Sequence, residues 1–212
     1  RRGWWRRNAP ALLALPLVLI VIGLLGSYRY ANFYAKYELT DPVRAPVGRS
    51  VALVQNWTDA SGEHRREVAL GADSAQVVTA YTGVSGQESA ITPVEGTQVW
   101  RIRLHVQADP EQVLSGCRYA VVDQHGRVAN GSGTGLGDQA VSMDYCVPDD
   151  TPGPQYDMGE QWEFAFDDDG ASARPETYTV SLHVRLAQDA IPVELRVWWE
   201  TPTYAALALP TL

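Results

Sequence analysis

Two outward-facing histidines, a glycine-rich run, a triplet of aspartates and a pair of cysteines are the residues of this 212-residue chain whose types and spacing could do chemistry. The run NGSGTGLGD, Asn130 to Asp138, has four glycines at alternate positions. A phosphate cradle needs a strand before such a loop and a helix N-terminus after it. The next residues are QAVSMDYC, strand-like and without a Lys-Ser/Thr pair, so the run reads as a hairpin loop. FDDDGASARPE, Phe166 to Glu176, invites calcium, but an EF-hand wants acids at alternate positions. Asp167, Asp168 and Asp169 are consecutive and their side chains diverge, so a solvated acidic turn is the plainer reading. A non-EF calcium site that also draws on Asp149, Asp150 and Asp157 stays open as the alternative. His105 and His183 would approach a metal, or form a pH-sensitive patch, only if their strands were neighbours. With no third ligand at a supporting spacing, they read as surface histidines. Asn56-Trp57-Thr58 and Asn130-Gly131-Ser132 match the glycosylation sequon and are given little weight. Composition leaves a Ser-His-Asp triad open, yet no G-x-S-x-G elbow supports one. No cofactor, no metal and no enzymatic activity are therefore assigned.

The elements that must carry these residues are strands. In QVWRIRLHVQ, Trp100, Ile102, Leu104 and Val106 alternate with Arg101, Arg103, His105 and Gln107, the period of a half-buried strand. YTVSLHVRLA repeats it, with Val180, Leu182, Val184 and Leu186 inward and Thr179, Ser181, His183 and Arg185 outward. IPVELRVWWE does so again through Val193, Leu195 and Val197. CRYAVVDQHGRVANG reads as a hairpin turning near Asp123 to Gly126. SVALVQNW, REVAL, AQVVTAYTG and QWEFAF complete about eight or nine strands without βαβ alternation, the pattern of an antiparallel sandwich.

Ahead of them lies a different composition. Ala9 to Gly26 are eighteen apolar or small residues without a charge. As a helix they reach about 27 Å, close to the ~30 Å of a hydrocarbon core. Trp4 and Trp5 flank one end; Tyr28, Tyr30, Phe33, Tyr34 and Tyr37 flank the other, as amphipathic rings do at the two interfaces of a membrane span. Arg1, Arg2, Arg6 and Arg7 precede the run and only Arg29 and Lys36 come closely after it, which predicts a cytoplasmic N-terminus and an extracytoplasmic remainder. A signal peptide is the competing reading. Against it, the apolar run exceeds the roughly 7–15 residues usual for a signal, and no A-x-A site comes after it. An uncleaved anchor in the cell membrane is expected. Pro10 fits the first turn, whereas Pro16 is expected to kink the helix or to need a neighbour.

The resulting layout is a basic N-terminus (1–8), a transmembrane helix (9–28), an aromatic stalk and Pro-rich linker (29–47), an extracytoplasmic β-sandwich (48–200) and an apolar tail (201–212). In an oxidising compartment the pair Cys117 and Cys146 reads as a disulfide, with two free buried thiols as the alternative. QVWRIRLHVQ, the CRYAVVDQHGRV hairpin, Cys146 and QWEFAF before a final apolar strand pair give a chain that resembles the immunoglobulin-like β-sandwich domains of exported, membrane-anchored actinobacterial proteins. The resemblance covers about residues 48–200 and implies an adhesion, recognition or assembly module with no catalytic residues. It implies the architecture and not the antibody topology, because no tryptophan lies between the two cysteines.

Net charge is −8, yet all 25 acidic residues and only 11 of the 17 basic ones lie beyond Lys36. An acidic exported domain of this kind is repelled by nucleic acid, and by anionic headgroups away from the basic anchor. The expected partners are the lipid bilayer and a larger membrane complex, respiratory or transport in type. Candidate contacts are Pro16, Gly23 and Gly26 in the span, and Trp198, Trp199, Tyr204, Leu207 and Leu209 near the end. For that apolar tail an edge segment folded onto its own sandwich is the equal alternative. The expected role is a non-enzymatic accessory or assembly subunit. The alternative is a membrane-anchored module that binds a small ligand, metal or envelope component.

Overall fold

In an apolar medium every backbone polar group must find its partner within the chain, and a helix is the way an isolated uncharged segment does so. Arg2–Arg29 form such a helix, α1, continuous through Pro10 and Pro16. It runs on through a π-helical turn, Tyr30–Tyr34, and a 3-10 turn, Ala35–Tyr37. Within Leu13–Tyr37 an 18-residue window has mean hydropathy 1.8, and the stretch is long and apolar enough to cross a membrane. Its leucines, isoleucines and valines are exposed all round, as a lipid-facing or partner-facing helix requires. The computed structural model describes residues 2–82, 88–92, 94–131, 145–156 and 173–210, and divides into two units at Leu39–Thr40.

The second unit is mainly β. Its strands are β1 (Asp41–Ala45), β2 (Ser50–Asp59), β3 (Gly62–Val78), β4 (Ala80–Thr82), β5 (Glu88–Ala90), β6 (Thr97–Gln107), β7 (Arg118–Asp123), β8 (Val128–Asn130), β9 (Thr177–Ala187), β10 (Pro192–Trp198) and β11 (Thr203–Ala208). One sheet has the order β1-β11-β10-β7-β8, a second β2-β3-β6-β9, and β4-β5 form a short arm. The sheets are mostly antiparallel, the exception being β1, which runs parallel to β11 from Asp41↔Thr203 to Ala45↔Leu207. The alternation expected of β6 and β9 holds. Trp100, Ile102, Leu104 and Val106 are buried on β6, and Leu182, Val184 and Leu186 on β9. They share one apolar core with Leu53 and Val68 of their own sheet and with Val121, Leu195, Val197 and Leu207 of the other.

Polar side chains tie the two sheets together. Gln55, buried on β2, donates Nε2 to the carbonyls of Glu200 (2.5 Å) and Thr203 (2.8 Å), and its Oε1 accepts from the amides of Trp199 and Glu200. Tyr119 on β7 donates its hydroxyl to the His183 carbonyl on β9 at 2.5 Å. Gly131 lies under the Tyr119 ring, where a Cβ would collide with the aromatic carbons. Only glycine permits that approach. Cys117 and Cys146 are joined in a disulfide, Cα–Cα 5.8 Å, with both residues in the core.

Four expectations need correction. The Pro-rich linker is not wholly a linker, because Asp41–Ala45 form β1, and Pro42 is tolerated there since β1 is an edge strand. REVAL and AQVVTAYTG read in sequence as separate strands. Gly62–Val78 is instead one 17-residue strand that absorbs Asp73 as a bulge between Ala72 and Ser74. The sheets are not purely antiparallel. Finally, the end of the chain is not a tail beyond the domain. Tyr204 to Leu207 lie in β11, between β1 and β10, and all four residues are buried. An interior strand covered on both faces reads as an apolar run, hence its likeness to a sticky tail. QWEFAF lies outside the described residues.

The disulfide closes a separation of 29 residues. On the chain-entropy relation that is worth about 3–4 kcal/mol. The double variant Cys117→Ala/Cys146→Ala is expected to lose that much in denaturant unfolding monitored by β-sheet circular dichroism. A loss under ~1 kcal/mol would mean that the core alone holds this part of the fold.

Candidate functional site

The nearest approach to a hydrolytic constellation is at the β2–β3 turn, in D-A-S-G-E-H. His64 Nε2 is 2.9 Å from Ser61 Oγ and 2.8 Å from Asp59 Oδ1, and Ser61 Oγ also donates to Asp59 Oδ1 at 2.7 Å. In a working triad the serine and the carboxylate occupy opposite ring nitrogens, so that the imidazole can take a proton on one side while held on the other. Here both crowd one nitrogen. The Ser61 amide donates to the same carboxylate oxygen at 2.9 Å, which makes the group an Asx-turn lock.

The two histidines considered as a metal pair do lie on adjacent strands. β6 and β9 pair with His105 opposite Thr179 and His183 opposite Arg101. Four residues of offset along a strand separate them by about 13 Å. No single ion spans that. His105 has its own partners, Asp73 Oδ2 at 2.7 Å from Nε2 and Thr179 Oγ1 at 2.8 Å from Nδ1. That imidazole hydrogen bond holds the Asp73 carboxyl below the usual range. His183 is half-buried, its Nε2 has no hydrogen-bond partner, and Tyr81 sits edge-on at 6.2 Å. Burial, then the positive charge of Arg101, lowers its pKa from 6.5. Among the described residues no three His, Cys, Asp or Glu gather to hold a metal. The glycine-rich run beyond Gly131, Asp157 and the aspartate triplet lie outside the described residues; Asp149 and Asp150 are exposed.

What sequence reading missed is a pair of buried arginines. Arg66, only 1% exposed, sits on β3 with its guanidinium carbon 5.2 Å from the Trp57 ring, 5.1 Å from Trp199 and 5.9 Å from Tyr156. Its Nε donates to the Val113 carbonyl (2.9 Å) and one terminal nitrogen to the Tyr156 hydroxyl (3.0 Å), while the other has no hydrogen-bond partner. Burial lowers its pKa, against the opposing pull of Tyr156. Arg174, also 1% exposed, donates to the carbonyls of Pro152, Asp109, Pro110 and Gln112 at 2.7–3.3 Å. Trp199 Nε1 adds a bond to the Leu114 carbonyl at 2.8 Å. All three hold the Asp109–Leu114 loop. In sequence, Arg66 stands in the basic, outward-looking string HRRE; the one usable sign is its two-residue spacing before Val68 and Leu70. Beside it is a cleft of about 210 Å³ lined by Trp57, His64, Arg65, Arg66, Glu111, Gln112 and Val113. Among the described residues that line the cleft, no nucleophile is paired with a base.

The residues expected at the membrane interface lie along one helical element. Trp4, Tyr28, Tyr30, Phe33 and Tyr34 are exposed on α1 and the turn after it. Trp5, Arg6 and Arg7 belong to α1, with side chains outside the described set. Pro16, Gly23 and Gly26 are exposed, and nothing lies within 4 Å of a Cβ built on either glycine. The other contact candidates require correction. Trp199, Tyr204, Leu207 and Leu209 are buried in their own domain, and Trp198 is half-buried. The Tyr204 ring is further covered by Arg196 at 5.3 Å. No protein-family model matches the chain, and no curated protein or solved structure does.

Two measurements test this geometry. Arg66→Ala strands the Val113 carbonyl and Tyr156 hydroxyl in the interior and is expected to cost about 3 kcal/mol; Arg66→Met, which refills the cage, should cost about half of that. Equal losses for the two in urea unfolding would show that the lost donors, and not the filling of the cage, set the cost there. The depressed His183 pKa sets a sign as well. Its contribution is whole above the unfolded value of 6.5 and is lost as pH falls through the lower folded value. His183→Gln should therefore flatten the fall in Tm below pH 6.5 and leave the neutral limb unchanged.

Proposed function

We propose that this chain is a single-pass membrane protein whose extracytoplasmic β-domain serves as a non-enzymatic accessory or assembly subunit of a larger membrane complex. One observation carries the reading. Leu13–Tyr37 is long and apolar enough to span a bilayer, and its large apolar side chains are exposed on all sides. Such a surface requires lipid or another helix around it. Aromatic side chains at both ends suit the two interfaces, and the arginines before the run favour a cytoplasmic N-terminus. The disulfide suits an oxidising compartment on the other side. An uncleaved anchor rather than a signal is favoured by the helix continuing through the π-turn to Tyr37. The histidine, serine and carboxylate geometry described above supports binding or assembly over catalysis. For the domain itself we keep the immunoglobulin-like reading of its architecture. Anchoring confines the domain near its partners and raises their effective concentration.

A second reading, an anchored module for a small ligand, is favoured only by the cleft beside Arg66. Purification of the tagged chain from native membranes in mild detergent, with mass spectrometry of what is retained, separates the two. The accessory reading expects multi-pass proteins at a constant ratio, lost when residues 9–28 are exchanged for an unrelated span. Recovery of the chain alone, under conditions that keep other complexes whole, would sink it.

A further inference from the structure

An unpaired sheet edge invites another strand, and three of the four edges of the two larger sheets are guarded against it. β8 has only 3 residues, β1 carries Pro42, and β9 has its His183 carbonyl taken by the Tyr119 hydroxyl. β2 is different. It ends the order β2-β3-β6-β9, has 10 residues, and pairs with β3 in unbroken register from Ser50↔Gly71 to Asp59↔Gly62. From Ser50 to Thr58 it holds no proline and no charged residue, and it has no bulge, the devices that keep an edge from pairing. Its free side can be read from its neighbour. The Glu67 amide donates to Gln112, in the loop that continues β6, so the Glu67 backbone faces away from β2 and that of Arg66 faces toward it. Arg66 is opposite Gln55; the odd-numbered residues of β2 therefore bond to β3, and Ser50, Ala52, Val54, Asn56 and Thr58 turn their N–H and C=O outward. The same five residues are exposed, Val54 by 43%, with Leu53, Gln55 and Trp57 buried between them. Among the described residues, none bonds to the outward backbone groups of Ala52, Val54, Asn56 and Thr58.

We propose that β2 pairs antiparallel with β2 of a second copy of this chain, about a two-fold axis centred on Val54, joining the two β2-β3-β6-β9 sheets into one. The strand is complementary to itself. In that register Val54 opposes Val54 of the second copy, Ala52 opposes Asn56, and Ser50 opposes Thr58, so outward residues meet outward residues and each free N–H finds a carbonyl. The hydroxyl pair at either end adds side-chain hydrogen bonds of the kind that stabilise antiparallel strands. No like charges are brought opposite one another. Arg49, just before the strand and in no ion pair among the described residues, stands opposite Asp59 of the second copy. Asp59 keeps its bonds to Ser61 and His64 and gains a cation beside them. Sliding the register by two residues either way leaves an outward residue of each copy without a partner in the strand and parts Arg49 from Asp59. A second copy suits this edge better than a foreign strand because the pattern reads the same from both ends.

The experiment uses the full chain at micromolar concentration in detergent micelles, its mass read by sedimentation, beside Val54→Lys and Val54→Glu, which set like charges against each other at the two-fold centre. The unaltered chain is expected at the mass of two copies and each variant alone at the mass of one. Circular dichroism of the sheets should not change, because Val54 is exposed and its amide bonds nothing within its own chain. Mixed in equal amounts, the two variants should return to the mass of two, since unlike charges then meet; a variant that had merely misfolded would not be rescued in this way. Val54→Cys should join to itself under mild oxidation about tenfold faster than Val128→Cys, an exposed valine on β8, because pairing makes the reaction intramolecular. An unaltered chain at the mass of one copy overturns the proposal. A pair that survives in both charged variants overturns it too and moves the contact to α1 or to another surface. Joining of Val54→Cys to a different protein in native membranes assigns the edge to a foreign strand and likewise overturns it. None of these results bears on the anchor, which is read from α1 alone.

Discussion

The β-domain depends on two guanidiniums that have been taken out of water. A buried arginine is unfavourable unless its donors are met, and Arg66 and Arg174 meet theirs largely with backbone carbonyls and aromatic faces. All of these carbonyls but that of Pro152 belong to one loop, Asp109–Leu114, which has no ladder of its own to satisfy them. The need is mutual: the loop lacks donors and the arginines lack acceptors. The stagger of β3 explains the place. Its first half pairs with β2 and its second with β6, so residues before Ala69 have no β6 partner. Gln112 fills part of that gap by accepting from the Glu67 amide at 2.9 Å.

Sequence reading reaches the strands whose two faces meet different media and stops where both faces are covered. From Ile102 to Val106 and from Leu182 to Leu186, β6 and β9 alternate because one side faces the core and the other is less covered. β11 lies between β1 and β10 and is buried throughout, so YAALAL has no alternation to read and resembles a tail. The disulfide is legible from an even cysteine count. Arg66 is not, because a guanidinium that stacks on Trp57 and Trp199 has the same letter as one in solvent, and Trp199 is 133 positions away in the sequence. The histidine pair shows the converse. Adjacency of their strands is met, but register along the strands decides distance and no single-sequence signal fixes it.

Charge behaves the same way on a larger scale. A net value sums over a surface that folding then sorts by face. The carboxylates dominate the count, yet strand period gathers Arg101, Arg103 and Arg185 on one side of one sheet. Totals describe the domain as a whole; they do not describe what a single face meets.

β1 is where the chain arriving from α1 becomes part of the fold, and it is an edge strand running parallel to β11. Tension along its axis loads the Asp41–Ala45 ladder in shear, all of its bonds sharing the force, rather than opening them one by one. Among the β1 residues only Ala45 is fully buried. Ala45 belongs to the apolar core and Val43 packs against it, so the first strand of the domain covers part of the core as well as the edge of its sheet.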